Sequence, residues 1–230
     1  MRVELAGPVP RGVTAKDIVL HLLALPSIKA GAGVGKVFEF PGSALADLAT
    51  DERATLTNMT AELGGSTGII VAPDAETVRF LRERRDIDVT LEPWMRSDDG
   101  ASYCDVIEVD CAAVAPMVVA PGDPGHGVAL PDLKDRPRID IAYGGSCTAG
   151  KREDFDRYHE VLTWAAQNGQ KVAPHAQLFL QFGTTAVRDY CSEKGYLDAF
   201  AQVGAELLQP ASGPVPIAGR APPPIPIRSP

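Results

Sequence analysis

The stretch Arg138-Ile139-Asp140-Ile141-Ala142-Tyr143-Gly144-Gly145-Ser146-Cys147-Thr148-Ala149-Gly150 decides the fold. Its first six residues read as a strand over 138–143, and the polar residues after Gly150 read as a helix start. Between them lies a turn of small residues, Gly144, Gly145, Ser146 and Gly150, with Cys147 at its centre. Such neighbours let the backbone approach a bound group and leave amides free to donate to it, which suits a thiolate ligating an iron–sulfur cluster. The same residues also describe an inert cysteine in a strand-to-helix turn.

Outward from this turn the pattern alternates. Downstream, a helix is expected over 152–167 with Tyr158, Val161, Leu162 and Ala165 inward, then a strand over 176–182 and helices over 184–194 and 196–203. Upstream, residues 14–25 predict an amphipathic helix with Thr14 as N-cap and Asp17 three residues on. Gly31-Ala32-Gly33-Val34-Gly35 leads into a strand over 36–40; because this loop precedes a strand instead of joining a strand to a helix, the dinucleotide and P-loop readings fail on context. A helix over 52–64, a buried strand over 68–72 and a helix over 74–85 follow, the last ending in a basic run, Arg82 to Arg85, read as a solvated face. Between Asp86 and Leu133 the prolines at 93, 116, 121, 124 and 131 suggest an irregular connector. Strands alternating with helices argue for parallel α/β layers.

A formal net charge of -8 without a basic stripe gives no electrostatic footprint for nucleic acid. No apolar run approaches the roughly 18 residues of a membrane span, and no signal-peptide layout opens the chain. Cys104, Cys111, Cys147 and Cys191 are scattered, which suits a reducing compartment, so a cytoplasmic location is expected. Asn58 and Glu62, four apart on the expected helix, share a face; spacing alone leaves open an exposed pair with a capping role or two groups reaching one polar site. His21 and His159 lie on expected helices and read as structural or solvent-facing, His126 sits in a glycine-rich loop, and His175 follows a proline.

Several segments in order, 12–20, 38–42, 53–65, Ala72-Pro73-Asp74 and the Gly-Ser-Cys-Thr turn at 145–148, resemble the aconitase superfamily of iron–sulfur hydro-lyases. The resemblance is strongest to the large subunits of isopropylmalate dehydratase and homoaconitase, and covers roughly residues 5–210. It implies three-layer α/β/α units of the aconitase type, incomplete here: a second-domain-like unit with connector over 1–133, a partial third-domain-like unit over 134–209, and a Pro-rich irregular tail over 210–230. It implies a 4Fe-4S cluster with Cys147 as one of three thiolates and Ser146 beside it. It implies that Asn58 orients a hydroxyl near the labile iron and that Glu62 assists cluster-bound water. The implied reaction is dehydration and rehydration of a di- or tricarboxylic hydroxy acid such as isopropylmalate, homocitrate or citrate. The family's base lies on a swivel domain, often a separate small subunit, and its amino-terminal domain has no counterpart in this sequence.

Two departures stand out. Ala149 replaces the usual asparagine after the Cys-Thr pair, and the segment from Ala211 to Val215 stands where the family carries its other two cluster cysteines. From Ser212 the chain becomes proline-rich and aperiodic. One permitted set of codons for 212–230 encodes a cysteine pair in another frame, so a single-base deletion is expected to account for the tail. The expected protein is therefore a truncated hydro-lyase segment, inactive alone, which self-associates or recruits a swivel-domain small subunit. The alternatives are one part of a split hydro-lyase and a cluster-free scaffold or small-acid binding module.

Overall fold

The computed structural model describes residues 1–135 and 137–211, so the expected tail lies outside the described residues from Ser212 onward. The chain is α/β, built from parallel sheets flanked by helices, and divides into two compact units between Pro137 and Arg138.

The first unit is organised by a four-stranded parallel sheet in the order β3-β2-β1-β4. Its strands are β1 (Arg2–Ala6), β2 (Val37–Phe40), β3 (Thr67–Ile70) and β4 (Val106–Asp110). Alternation places Val3, Leu5, Phe38 and Phe40 on one face, where they form one core with Ile18, Val19 and Leu22 of α1 (Ala15–Ala24) and Leu56 of α3 (Thr50–Asn58). The other face is charged and partly apolar. There Arg2 pairs with Glu4 at 2.6 Å, and Glu39 accepts from Ser97 and Tyr103 at 3.0 and 2.8 Å.

Helix α1 starts as its sequence dictates. Thr14 and Asp17 form a reciprocal capping box, and the second Asp17 oxygen accepts from the Met117 backbone at 2.7 Å. That bond ties α1 to the antiparallel hairpin of β5 (Met117–Val119) and β6 (Gly127–Ala129). A short helix, α2 (Pro26–Lys29), separates α1 from the glycine loop, and α4 (Ala75–Arg85) begins on a second capping box from Asp74 and Thr77. The deeply buried Arg53 guanidinium donates to both Asp74 oxygens at 2.7 Å and to the carbonyls of Leu45 and Leu48, joining α3 to the start of α4. Helix α4 itself buries no residue, and Arg82 meets Asp88 on the surface.

The second unit carries a parallel three-stranded sheet, β7 (Ile141–Gly145), β8 (Gln177–Gln181) and β9 (Ala205–Leu208), in that order. After β7 comes a single helical turn, α5 (Ser146–Ala149). Helices α6 (Arg152–Gln167), α7 (Thr185–Glu193) and α8 (Tyr196–Val203) pack on the sheet through Phe155, Leu180, Phe182, Val187, Cys191 and Phe200. The Ile141 and Tyr143 side of this sheet is open to solvent.

Several expectations are corrected. The helix over 52–64 runs only to Asn58, because Thr60 bonds back to Leu56 O and the chain then folds through turns to reach Gly64 at φ 84°. The strand over 68–72 is β3, an edge strand with Ile69 46% exposed, and is not buried. The 86–133 connector holds β4, which pairs with β1 along its full length, and the β5–β6 hairpin. Strands β1 and β9 were not anticipated. Val161 points outward, and Phe155 takes the deepest core position on α6. Among the described residues no helix is long and apolar enough to cross a membrane.

Candidate functional site

The strand expected over 138–143 instead runs Ile141–Gly145, starting three residues later and taking in both glycines. Gly144 and Gly145 are part of β7, paired with Leu180 and Gln181 of β8. A Cβ on Gly145 would lie 2.2 Å from the Gln181 carbonyl oxygen, so only glycine allows this approach, and its φ of 138° requires glycine again. Ser146 follows at φ 67°, a left-handed conformation that costs an L-residue about 1–2 kcal/mol. Strain of this kind persists where the surroundings over-determine it, and it clusters at functional turns.

Three hydrogen bonds hold the turn. Tyr158 donates to the Ala149 carbonyl at 2.8 Å, Lys151 donates to the Cys147 carbonyl at 3.1 Å, and Gly183 donates to the Gly150 carbonyl at 2.8 Å. Ala149 thus offers no side-chain amide, but its carbonyl is pinned. Burial pushes the Tyr158 phenol well above its ordinary range, with Asp154 adding to the effect, so it remains a donor. Cys147 itself is exposed at the carboxyl end of a parallel strand, where open α/β sheets bind ligands.

The other cysteines have different surroundings. Burial raises the Cys111 thiol to about 11 and the Cys191 thiol to about 12, with Asp110 and Asp156 contributing to each in turn. Both sit in hydrophobic cores. Cys104 is exposed in the first unit.

Asn58 and Glu62 lie in the first unit and are both exposed. Asn58 closes α3, and Glu62 stands in the turns beyond it, so the two do not share a helical face. Their position is set by interlocked glycines. A Cβ on Gly33 would lie 2.2 Å from the Leu63 carbonyl oxygen, and Gly35 donates to the Gly64 carbonyl at 2.9 Å. The Gly31–Gly35 loop is therefore a packing device against the Glu62 turn. Ser146 and Cys147 come together in one turn of the second unit, whereas Asn58 and Glu62 belong to the first.

Among the described residues no group of three or more His, Cys, Asp or Glu is placed to hold a metal ion. His159 stacks on Tyr196 at 3.9 Å and His126 faces Asp123 at 3.6 Å, both local contacts. With two cysteines sequestered in cores, the donors of this chain do not fit a cluster held by three thiolates. Composition did not single out Tyr143, Lys151 or Gln181 as neighbours of the turn; the one available signal was Gln181, a polar residue in an apolar strand run.

Residues 1–215 match the aconitase family (aconitate hydratase). The chain is 34% identical over 205 residues to the 3-isopropylmalate dehydratase large subunit of Aliarcobacter butzleri (strain RM4018), covering 87% of the chain and 46% of that protein. It is 34% identical over 209 residues to large subunit 1 of the same enzyme from Pyrococcus furiosus, covering 90% and 47%. Against the large subunit from Sulfurimonas denitrificans it is 32% identical over 215 residues, covering 93% and 49%. The chain belongs to the aconitase family, and it spans about half the length of the curated relatives it matches.

Proposed function

We propose that this aconitase-family chain supplies part of the active site of a hydro-lyase acting on a di- or tricarboxylic hydroxy acid such as isopropylmalate, homocitrate or citrate. The observation that carries the reading is the contrast among its thiols. Cys147 is held exposed on a strained turn at a strand's carboxyl end, while Cys111 and Cys191 are buried and kept neutral. In this reading Cys147, flanked by Ser146, offers one thiolate toward a 4Fe-4S cluster. Asn58 donates its amide to a substrate hydroxyl, and Glu62 accepts from, or returns a proton to, water or substrate at its carboxylate. Because the donors here do not complete such a centre, the chain alone holds no cluster and turns over no substrate. The remaining cluster ligands and the base, which a swivel-domain small subunit would carry, lie outside these residues. Four free cysteines make a reducing, cytoplasmic setting the natural one.

The reading requires that Asn58 and Glu62 approach Cys147. A nitroxide attached to Cys147 in a Cys104→Ser background tests this, since Cys111 and Cys191 are buried from the reagent. Broadening of the Asn58 and Glu62 NMR signals is expected; unaffected signals at both positions would overturn the shared site. The lack of a three-donor group among the described residues favours one second reading, a cluster-free module that binds a small acid. Citrate-induced shifts confined to residues 58–62 and 146–148, unchanged by Cys147→Ser, would select it.

A further inference from the structure

On the β7–β8–β9 sheet, Leu178 and Leu180 pack into the helical core, so Gln177, Phe179 and Gln181 project to the opposite side. That side is open at Ile141, at 43% exposure, and at Tyr143, at 39%. Yet Gln181 is fully buried. An amide removed from water is costly unless both its ends are bonded, and here both are. Its Nε2 donates to the Gln209 carbonyl at 3.1 Å, and its Oε1 accepts from the Tyr143 hydroxyl. The Gln209 carbonyl accepts only, which fixes which end of the amide faces it.

The Gln181 backbone also meets the turn directly, since its carbonyl oxygen lies 2.2 Å from where a Cβ on Gly145 would stand and 2.9 Å from where one on Gly150 would. The side-chain bonds run in one direction, from Tyr143 to Gln181 to Gln209. A directed chain of this kind polarises along its length and specifies one arrangement of its members. It begins on β7 ahead of the turn and ends on the segment after β9, where Ala211 donates to the Phe182 carbonyl at 3.3 Å.

We propose that Tyr143 and Gln181 are positioning residues for the Cys147 turn, seating it on β8 through Gly145 and Gly150 and fixing the Gln209–Ala211 segment relative to it. This rests on the reading of the Cys147 turn as the ligand-bearing site. A purely structural Gln181 would affect stability and leave the thiol alone; a positioning residue must alter the thiol's chemistry in a chain that is still folded.

The full chain carrying Cys104→Ser is alkylated with iodoacetamide across a pH series, leaving Cys147 as the reactive thiol, and amide exchange is followed at Gln209 and Ala211. Gln181→Met keeps volume and removes both bonds. Tyr143→Phe removes one hydroxyl from a partly exposed ring, and so decides the matter even if Gln181→Met fails to fold. In each folded variant the Cys147 rate at neutral pH should rise threefold or more, with a displaced pH–rate profile and faster exchange at Gln209 and Ala211. An unchanged Cys147 profile in Tyr143→Phe would overturn the inference. That result is independent of whether the nitroxide on Cys147 reaches Asn58 and Glu62, so failure of the tie and failure of the site are told apart.

Discussion

Cys147 and Cys191 occupy one unit and have opposite chemistry, which is the clearest residue-scale statement this chain makes. Cys147 stands exposed at the turn, whereas Cys191 is fully buried among the α6–α8 side chains. Iodoacetamide on the folded chain should therefore modify Cys104 and Cys147 and spare Cys111 and Cys191 until denaturant is added; mass spectrometry of the labelled peptides checks this. The raised thiols also make a pH prediction. Cys111 and Cys191 ionise near 9.0 when unfolded, and burial raises them to about 11 and about 12 when folded. Their contribution is fully present below pH 9 and is lost as pH rises from 9 through 11 to 12, because the unfolded chain gives up those protons first. Urea midpoints should fall across that window, and the slope should flatten in a Cys111→Ala/Cys191→Ala variant. Asp74 acts at the other end of the scale. Its bonds from Arg53 hold its carboxyl below the usual carboxylate range, so its contribution is present above the unfolded pKa and is lost as pH falls through the lowered one.

The elements are stabilised by a few specific joints. Arg53→Met removes the donors to Leu45 O, Leu48 O and Asp74, and is expected to cost about 2–4 kcal/mol, less than a fully buried pair because Asp74 retains access to water. Gly145→Ala is expected to cost more than about 3 kcal/mol, since both φ and the Gln181 carbonyl forbid a Cβ. Chemical denaturation monitored by circular dichroism measures both. The same joints explain what could be read in advance. Helices α1 and α7 announce themselves by caps and apolar spacing, as Thr14 with Asp17 shows, α4 by its cap and basic end, and α6 and α8 by apolar spacing. The end of α3 was hidden, because Glu62 keeps helical spacing and the stop is imposed by Gly64, Gly65 and the packing of Gly33 against Leu63. Strand β4 was masked by surrounding prolines, and β7 by glycines that elsewhere signal a turn but here permit close pairing. Of the site, the Ser146–Cys147 turn was legible from local sequence. Gln181 was not, because its importance comes from contacts 28 and 38 positions away along the chain.

At the scale of the whole molecule, each unit has a core of its own, one around Phe38 and Phe40, the other around Phe155 and Phe200. Each also leaves apolar residues of its sheet in solvent: Val37, Ile69 and Val106 in the first, Ile141 and Tyr143 in the second. Exposed apolar surface of this kind favours association. Light scattering across a concentration series is expected to show self-association, which an added small-subunit partner suppresses; a monodisperse monomer at every concentration would contradict the proposed need for a partner. Under the proposal Cys147 is one ligating thiolate in a site that is incomplete by itself. Anaerobic reconstitution of the pure chain with iron and sulfide, followed by measurement of iron and sulfide bound per chain, is expected to give no stoichiometric 4Fe-4S cluster. A full cluster on the pure chain, abolished by Cys147→Ser, would contradict it.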